Sequence, residues 1–365
     1  MNKLAVTAMA LMLTAGLTAM ADTRSAPAHA DTAGPTSVRV ASFNIQSVSL
    51  DKTSGLQRPW RQRRATVVSQ ILGERVDAIG IQEANPSKTF VASGRLVAGA
   101  NQYRDLQAGL NAAGGSYALT NSNPYNCVNA VTTYKCVFKN RGASHGDRIL
   151  YNTRTLSLVS QGATRYTVQG PGADPRYVVW AVLRVKATGE TFLFINTHMR
   201  GGATAVRRAQ WSYMVARVKA LAARATGLRT SMSQAPRPVV VVGDMNIHKF
   251  DPLSSTLIPA MRRAGYGDVL NQEYKVNPVA RPRALRTVNG WFNTYNRLTR
   301  DVRQTSYYTR HDKTGNNIDW IFASNSVRVD EWKVVVNWNP ATMLITGTLP
   351  SDHNMVRATL TFPRS

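Results

Sequence analysis

The chain has 365 residues, with 45 Lys+Arg against 20 Asp+Glu and a formal charge of +25. With 43% hydrophobic and 18% charged residues the composition is globular, which excludes disorder as the main state. The basic excess favours an anionic partner, nucleic acid or a phospholipid surface, and carries no information about fold.

Lys3 precedes an apolar stretch, Leu4 to Ala21, and Ala28-His29-Ala30 supplies the small residues that a signal peptidase reads, with Ala19-Met20-Ala21 as a second candidate. Residues 1–30 are therefore expected to be a signal peptide, 31–37 a linker, and the protein secreted and extracellular. A membrane anchor is the rival reading, weakened by the many Ala and Thr. No other segment approaches a spanning length, so no transmembrane segment is expected after signal removal. In an exported protein Cys127 and Cys136 read by default as a disulfide closing a short loop. Two free thiols or half a metal site are the alternatives.

Strand-like runs follow in order: Val38–Phe43, Ala78–Ile81, Arg148–Tyr151, a hairpin of Tyr177–Val185 and Thr191–Ile195, Val239–Val242, Ile318–Ala323 and Met355–Phe362. Helical periodicity lies between them at Trp60–Leu72, Asn101–Ala113, Thr204–Ala225 and Leu253–Ala264. In the first helix Arg61, Arg63 and Arg64 are placed on the polar face and Val67, Val68, Ile71 and Leu72 on the buried one. Continuous apolar strands imply covered sheets. The alternation of strands and helices implies an α/β (α+β) fold of two packed mixed sheets flanked by helices. Residues 114–146 read as a Gly-, Asn- and Ser-rich loop. Residues 270–313 interleave nine Lys and Arg, Arg281, Arg283 and Arg286 among them, with aromatics such as Trp291, Tyr295 and Tyr307. This stretch is either a clamp, with Arg on phosphates and rings on bases, or a solvated loop pinned by its aromatics.

Acids are scarce, yet Glu83, Asp147, Asp244, Asp319 and Asp352 all sit at strand edges, as do His198 and His353. Strand ends are where α/β sites form. Taken singly, each is as well explained as a turn, a cap or a structural histidine. Taken together they form an ordered set: Ser42-Phe43-Asn44-Ile45, Ile81-Gln82-Glu83, Asn196-Thr197-His198, Gly243-Asp244-Met245-Asn246, Asn317-Ile318-Asp319 and Ser351-Asp352-His353.

This order and spacing resemble the endonuclease/exonuclease/phosphatase (deoxyribonuclease I-like) superfamily over about Val38 to Phe362, with 38–365 as its catalytic domain. The resemblance implies a four-layer α-β-β-α sandwich. It implies hydrolysis of phosphoesters with Mg²⁺ or Mn²⁺, without deciding whether Ca²⁺ also steadies a loop. By motif, Glu83 would be the principal metal ligand, with Asn44 and Asp352 completing the shell directly or through water. Asp319 would orient His353, whose other nitrogen faces substrate or water. Asp244 and Asn246 would hold the attacking water and a phosphate oxygen. His198 would stabilise the transition state or protonate the leaving oxygen, with Asp147, before the Arg148 strand, as its partner. Arg148, Arg281, Arg283 and Arg286 are the expected substrate-binding cations.

Charge selects among substrates that the motifs share, and the leading expectation is a nuclease acting on DNA or RNA. Ala84-Asn85 follows Gln82-Glu83 where the deoxyribonuclease branch carries a groove-entering Arg, so the 270–313 loop would have to replace it. Adsorption to anionic surfaces is a possible second role of the basic charge. A sphingomyelinase-like phospholipid phosphodiesterase is the alternative. It would need an exposed apolar hairpin, for which Trp332, Trp338 and Val334–Val336 are candidates unless they form a core strand. A catalytically dead polyanion-binding protein is the third reading.

Overall fold

The structure, a computed structural model, describes residues 37–51, 56–86, 101–120, 145–170, 175–226, 237–272, 283–306 and 315–363. The expected signal peptide, Cys127, Cys136 and Arg281 lie outside the described residues. All described residues belong to the compact unit Pro35–Ser365.

The first strands in chain order are β1 (Ser37–Asn44), β2 (Ala78–Gln82), β3 (Tyr117–Leu119), β4 (Arg148–Asn152), β5 (Leu156–Arg165), β6 (Tyr177–Val185), β7 (Thr191–His198) and β8 (Val239–Asp244). They are followed by β9 (Tyr266–Asp268), β10 (Arg286–Val288), β11 (Asp319–Ser324), β12 (Arg328–Val335), β13 (Trp338–Asn339), β14 (Leu344–Ile345) and β15 (Met355–Thr361). The helices are α1 (Trp60–Gly73), α2 (Gln102–Ala112), α3 (Thr204–Thr226) and α4 (Ser254–Arg263). Ser37, expected in a linker, is the first residue of β1. The expected loops at 114–146 and 270–313 contain the short strands β3 and β10.

One sheet has the order β10-β12-β15-β1-β2-β4-β3 and the other β5-β6-β7-β8-β11-β9. Both are mixed: β1 runs parallel to β2 and antiparallel to β15, and β7 runs parallel to β8 while β11 opposes it. Side chains alternate across each strand. Val38 and Val40 of β1 therefore join Phe192, Phe194, Val240 and Val242 in the core between the sheets, while Ala41 and Phe43 face outward beneath Val67 and Ile71 of α1 and Leu106 and Leu110 of α2. On the opposite face Trp211, Met214 and Val218 of α3 and Ile258 and Met261 of α4 cover Leu193, Ile195 and Val241. The result is helix–sheet–sheet–helix. It explains the unbroken apolar strands, since both faces of each are covered. Burying each such large side chain contributes about 1.5–3 kcal/mol.

One sequence expectation changes in this frame, and one left open is decided. Arg63, placed on the polar face of α1, is fully buried. All five of its N–H donors are used: Nε on Arg58 O, Nη1 on Ile45 O and Pro350 O, and Nη2 on Gln46 O and the Asp51 carboxylate. The Trp332–Val336 segment is the core strand of its two readings: Trp332, Val334 and Val336 are buried in the central cluster. No helix among the described residues is long and apolar enough to cross a membrane.

Candidate active site

Strand register assembles the site. His198 ends β7 opposite Asp244, and Asp319 opens β11 opposite the same Asp244. One row across three strands thus carries three of the expected groups. In the facing sheet Asn44 lies opposite Gln82 at the ends of β1 and β2, so Glu83 steps just past the sheet. β15 runs antiparallel to β1 with Val356 opposite Ser42, which brings the preceding Asp352 and His353 beside Asn44. The approach of β8 to β7 requires glycine just before Asp244: a Cβ on Gly243 would stand 2.1 Å from Thr197 O.

Asn44 is the hub. Its Nδ2 donates to Glu83 Oε1 (3.0 Å) and Asp244 Oδ2 (3.1 Å) and lies 3.5 Å from His353 Nε2. Its Oδ1 accepts from the Gln46 N–H at 3.0 Å. In this arrangement Asn44 spaces the carboxylates rather than turning its oxygen towards them. The Ser47 N–H holds the second Glu83 oxygen at 3.1 Å. Gln46, Glu83 and Asn246 all adopt left-handed backbone, with φ of 54°, 60° and 51°. Non-glycine residues hold that conformation at a cost the surrounding structure must offset, and such residues cluster at functional sites.

His353 Nδ1 meets Asp319 Oδ2 at 2.9 Å, and its Nε2 is 3.7 Å from Asp244 Oδ2. Burial would lower this imidazole, but the flanking Asp319 and Asp244 carboxylates outweigh it and raise it to about 10. Asp244 is itself pushed up to about 7 by burial, against the opposing pull of His353 and the Asn44 and Asn246 N–H groups. His198 Nε2 lies 3.3 Å from Asp244 Oδ2 and 3.2 Å from Asn246 Nδ2. Burial, with Arg176, His353 and Arg200 nearby, lowers its imidazole well below the usual value, so it is neutral at pH 7. Asp352 is raised by burial and by the Glu83 carboxylate, and accepts from Ser351 Oγ at 3.1 Å.

The remaining expected residues are placed differently. The structure forms no Asp147–His198 hydrogen bond: His198 Nδ1 has no partner among the described residues. Asp147 is instead pushed up to about 8 by burial, with Arg176 as the largest opposing charge. Arg148 is no surface cation. It is fully buried, with its guanidinium 4.3 Å from the Tyr103 ring centre. Arg283 is likewise bound inward, donating to the carbonyls of Gly267, Ala323, Ser324 and Val327. Arg286 is exposed and faces Glu331 at 3.2 Å on the edge strand β10, three strands away from β1. Arg176, which no sequence signal distinguishes, is the cation that neighbours both Asp147 and His198.

The donor set suits a hard divalent cation. The carboxylates of Glu83, Asp352 and Asp244 converge closely enough that Glu83 raises Asp352 and both Glu83 and Asp244 raise Asp147, a crowding of negative charge that a cation relieves. Asp244, Asp319 and His353 also form a buried group whose ligand atoms lie within 4.8 Å of one another and could hold an ion. Asp319 is already committed to His353 Nδ1, so the half-buried Glu83 and Asp352 are the better-placed ligands.

A model of the endonuclease/exonuclease/phosphatase family matches residues 41–353. The chain belongs to this family. Among solved structures it is similar to a Bacteroides thetaiotaomicron protein of the same family, at 19% identity and a TM-score of 0.61 over 90% of this chain and 96% of that one. It is also similar to a Bacteroides thetaiotaomicron mannosyl-6-phosphatase, at 18% identity and a TM-score of 0.57 over 89% of this chain and 100% of that one. The catalytic domain of human nocturnin aligns at 14% identity and a TM-score of 0.52 over 90% of this chain and 95% of that one. At these identities the likeness is one of fold. No curated protein sequence matches the chain. The family-level conclusion is a phosphoesterase scaffold with a buried acidic and imidazole cluster that could bind a divalent metal.

Proposed function

We propose that the protein is a secreted, divalent-metal-dependent phosphodiesterase that hydrolyses nucleic acid. The observation that carries this reading is the convergence on Asn44 of Glu83, Asp244 and His353, with Asp319 behind the histidine. A phosphodiester is anionic and repels hydroxide. Its hydrolysis needs positive charge on the phosphoryl oxygens, a base near the water and a donor at the leaving oxygen. A bound Mg²⁺ or Mn²⁺ would neutralise phosphoryl charge, with Glu83 and Asp352 to hold it.

The other roles follow from the protonation states. His353, cationic between Asp319 and Asp244, serves as a charged donor to a phosphoryl oxygen rather than as a base. Asp244, poised near neutrality, is the group able to take a proton from the attacking water. Asn246 and Asp244 hold the neutral His198 at Nε2, which fixes the imidazole beside the phosphoryl site. The charge of +25 favours a polyanionic substrate. Burial of Trp332 and Val334 removes the segment suggested for bilayer entry, which weighs against the phospholipid reading.

The test is incubation with plasmid DNA, structured RNA and sphingomyelin vesicles, each with Mg²⁺ or EDTA. Nucleic acid should be cleaved only with the metal. Turnover of lipid alone would overturn the nuclease reading, and turnover indifferent to EDTA would overturn the metal. Salt-sensitive nucleic-acid binding without any turnover would favour the inactive polyanion binder.

A further inference from the structure

Two cavities flank the catalytic groups, and they differ in chemistry. One of about 220 Å³ is bounded by Glu83, Asp147 and Arg176 and is charged. The other, of about 340 Å³, is lined by Ile318, which precedes Asp319, and by Tyr295, which pairs with His353. Its lining is dominated by amides, Asn293, Asn296, Gln304 and Asn316, with Tyr295 and Arg297 and no carboxylate. Its size falls within the range of small-ligand sites, about 300–1,000 Å³.

The wall of this cavity is continuous with the catalytic centre. Tyr295 pairs with His353 through an antiparallel bridge, and the two rings are 5.0 Å apart. The Asn296 N–H donates to Asp352 O at 2.8 Å. The Asn296 side chain is held by Ser351 O and Asn354 Oδ1, so this wall is fixed before any ligand enters. The Asn316 Oδ1, although buried, has no hydrogen-bond partner among the described residues. A buried amide oxygen without a partner is costly, and a ligand donor would relieve that cost. Tyr295 is 38% exposed, with the Arg297 guanidinium 5.9 Å from its ring centre.

We propose that this cavity is the nucleoside subsite of the enzyme. The base would lie against Tyr295 and its polar edge would meet the amides of Asn316 and Gln304, while the attached phosphate sits at His353. The chemistry fits: aromatic faces accept any base by stacking, and amides match the paired donors and acceptors of base edges. A choline or acyl group would leave the Asn316 amide oxygen unpaired. The inference rests on the nuclease reading above and names which side of the scissile phosphate is recognised.

Calorimetry on the full chain tests it, with the 3′- and 5′-monophosphates of adenosine and thymidine as probes against inorganic phosphate and phosphocholine. At least one nucleotide should bind about tenfold more tightly than inorganic phosphate or phosphocholine, the effect of one stacked or doubly hydrogen-bonded base. That ratio should fall to within about threefold in Asn316→Leu or in Gln304→Leu; Gln304 is exposed, so its replacement does not threaten folding. Loss of the ratio in either variant supports the subsite. Equal affinity for nucleotides and inorganic phosphate, or an undiminished ratio in both variants, overturns it. The plasmid and RNA assay separates the two claims. Cleavage with an undiminished ratio removes the subsite and leaves the nuclease. Tight, variant-sensitive nucleotide binding without cleavage removes the nuclease and leaves the subsite.

Discussion

Asp319→Asn removes one charge from the pair that governs His353 and leaves the shape almost intact. The carboxylate stands 2.9 Å from Nδ1, and both side chains are nearly inaccessible to solvent. At an effective dielectric near 20 such a pair is worth roughly 4 kcal/mol. At 1.36 kcal/mol per pH unit, His353 should titrate about three units lower, near neutrality instead of near 10. At pH 8.5 the variant imidazole is then neutral and free to choose its tautomer, and kcat/KM should fall roughly 10²–10⁴-fold. The assay pairs initial rates on bis(p-nitrophenyl) phosphate with Mg²⁺, from pH 5.5 to 10, with the NMR titration of the His353 ring. A midpoint that moves by less than about one unit, or a rate within about threefold of the parent at every pH, refutes the reasoning. The same linkage has a sign in stability. A histidine raised in the fold contributes fully below its unfolded value of about 6.5, and that contribution is lost as the pH climbs towards about 10. Parent stability should therefore decline across that window, and the decline should shrink in Asp319→Asn.

Three further outcomes follow from the packing and the ligand set. Gly80→Ala should cost about 3 kcal/mol, because its Cβ would stand 2.5 Å from both Asn196 Oδ1 and Val242 Cγ2. Gly73→Ala, where nothing lies within 4 Å, is the control, and differential scanning calorimetry should place the two Tm values on opposite sides of the parent or nearly so. Arg63→Met should cost at least about 3 kcal/mol in urea unfolding by stranding four carbonyls and the Asp51 carboxylate. Arg63→Lys should recover less than half of this, since an ammonium has three donors where the guanidinium has five. Glu83→Gln should weaken Mn²⁺ binding by more than roughly tenfold in direct titration while leaving Tm close to the parent, since Glu83 is only half buried; unchanged Mn²⁺ affinity would remove Glu83 from the ligand set.

What could be read from the sequence follows from where the information lies. β2, β6, β7 and β8 announce themselves because strands covered on both faces are largely apolar along their length. β5, with the sequence LSLVSQGATR, lies at a sheet edge with a largely half-exposed pattern, so no run of apolar residues marks it. The acidic site residues stand out because only 20 Asp+Glu exist and several sit at strand ends. Arg176 is lost among 45 Lys+Arg. Arg63, expected on a polar helix face, and Arg283, expected on substrate, both bind inward for one reason: their acceptors come from distant chain segments such as Pro350 and Ala323 that no local pattern contains. The missing Asp147–His198 bond is a failure of another kind, because a motif transfers the order of residues but not the orientation of an imidazole.

The site is divided between the two sheets, and that division decides what tunes it. Asn44, Glu83, Asp352 and His353 come from the ends of the seven-stranded sheet, and His198, Asp244, Asn246 and Asp319 from the six-stranded one. Two buried amides join the halves. Asn44 donates to one carboxylate from each sheet. Deeper in the core, Asn196 of β7 donates to Ile81 O and Arg148 O across the gap and accepts from Gln82 Nε2 at 2.7 Å. Such fully used amides are rigid because any sliding leaves buried polar groups unpaired. The spacing of Glu83 and Asp244 is thus set by the register between sheets, and Gly80 is a tight point of that register, with the Asn196 amide already within contact distance of a missing Cβ. A change in the intersheet core far from any substrate therefore reaches the carboxylates through Asn196 and Gln82 before it unfolds the chain, since tenths of an ångström matter to a charged cluster in a low-dielectric site and little to apolar packing.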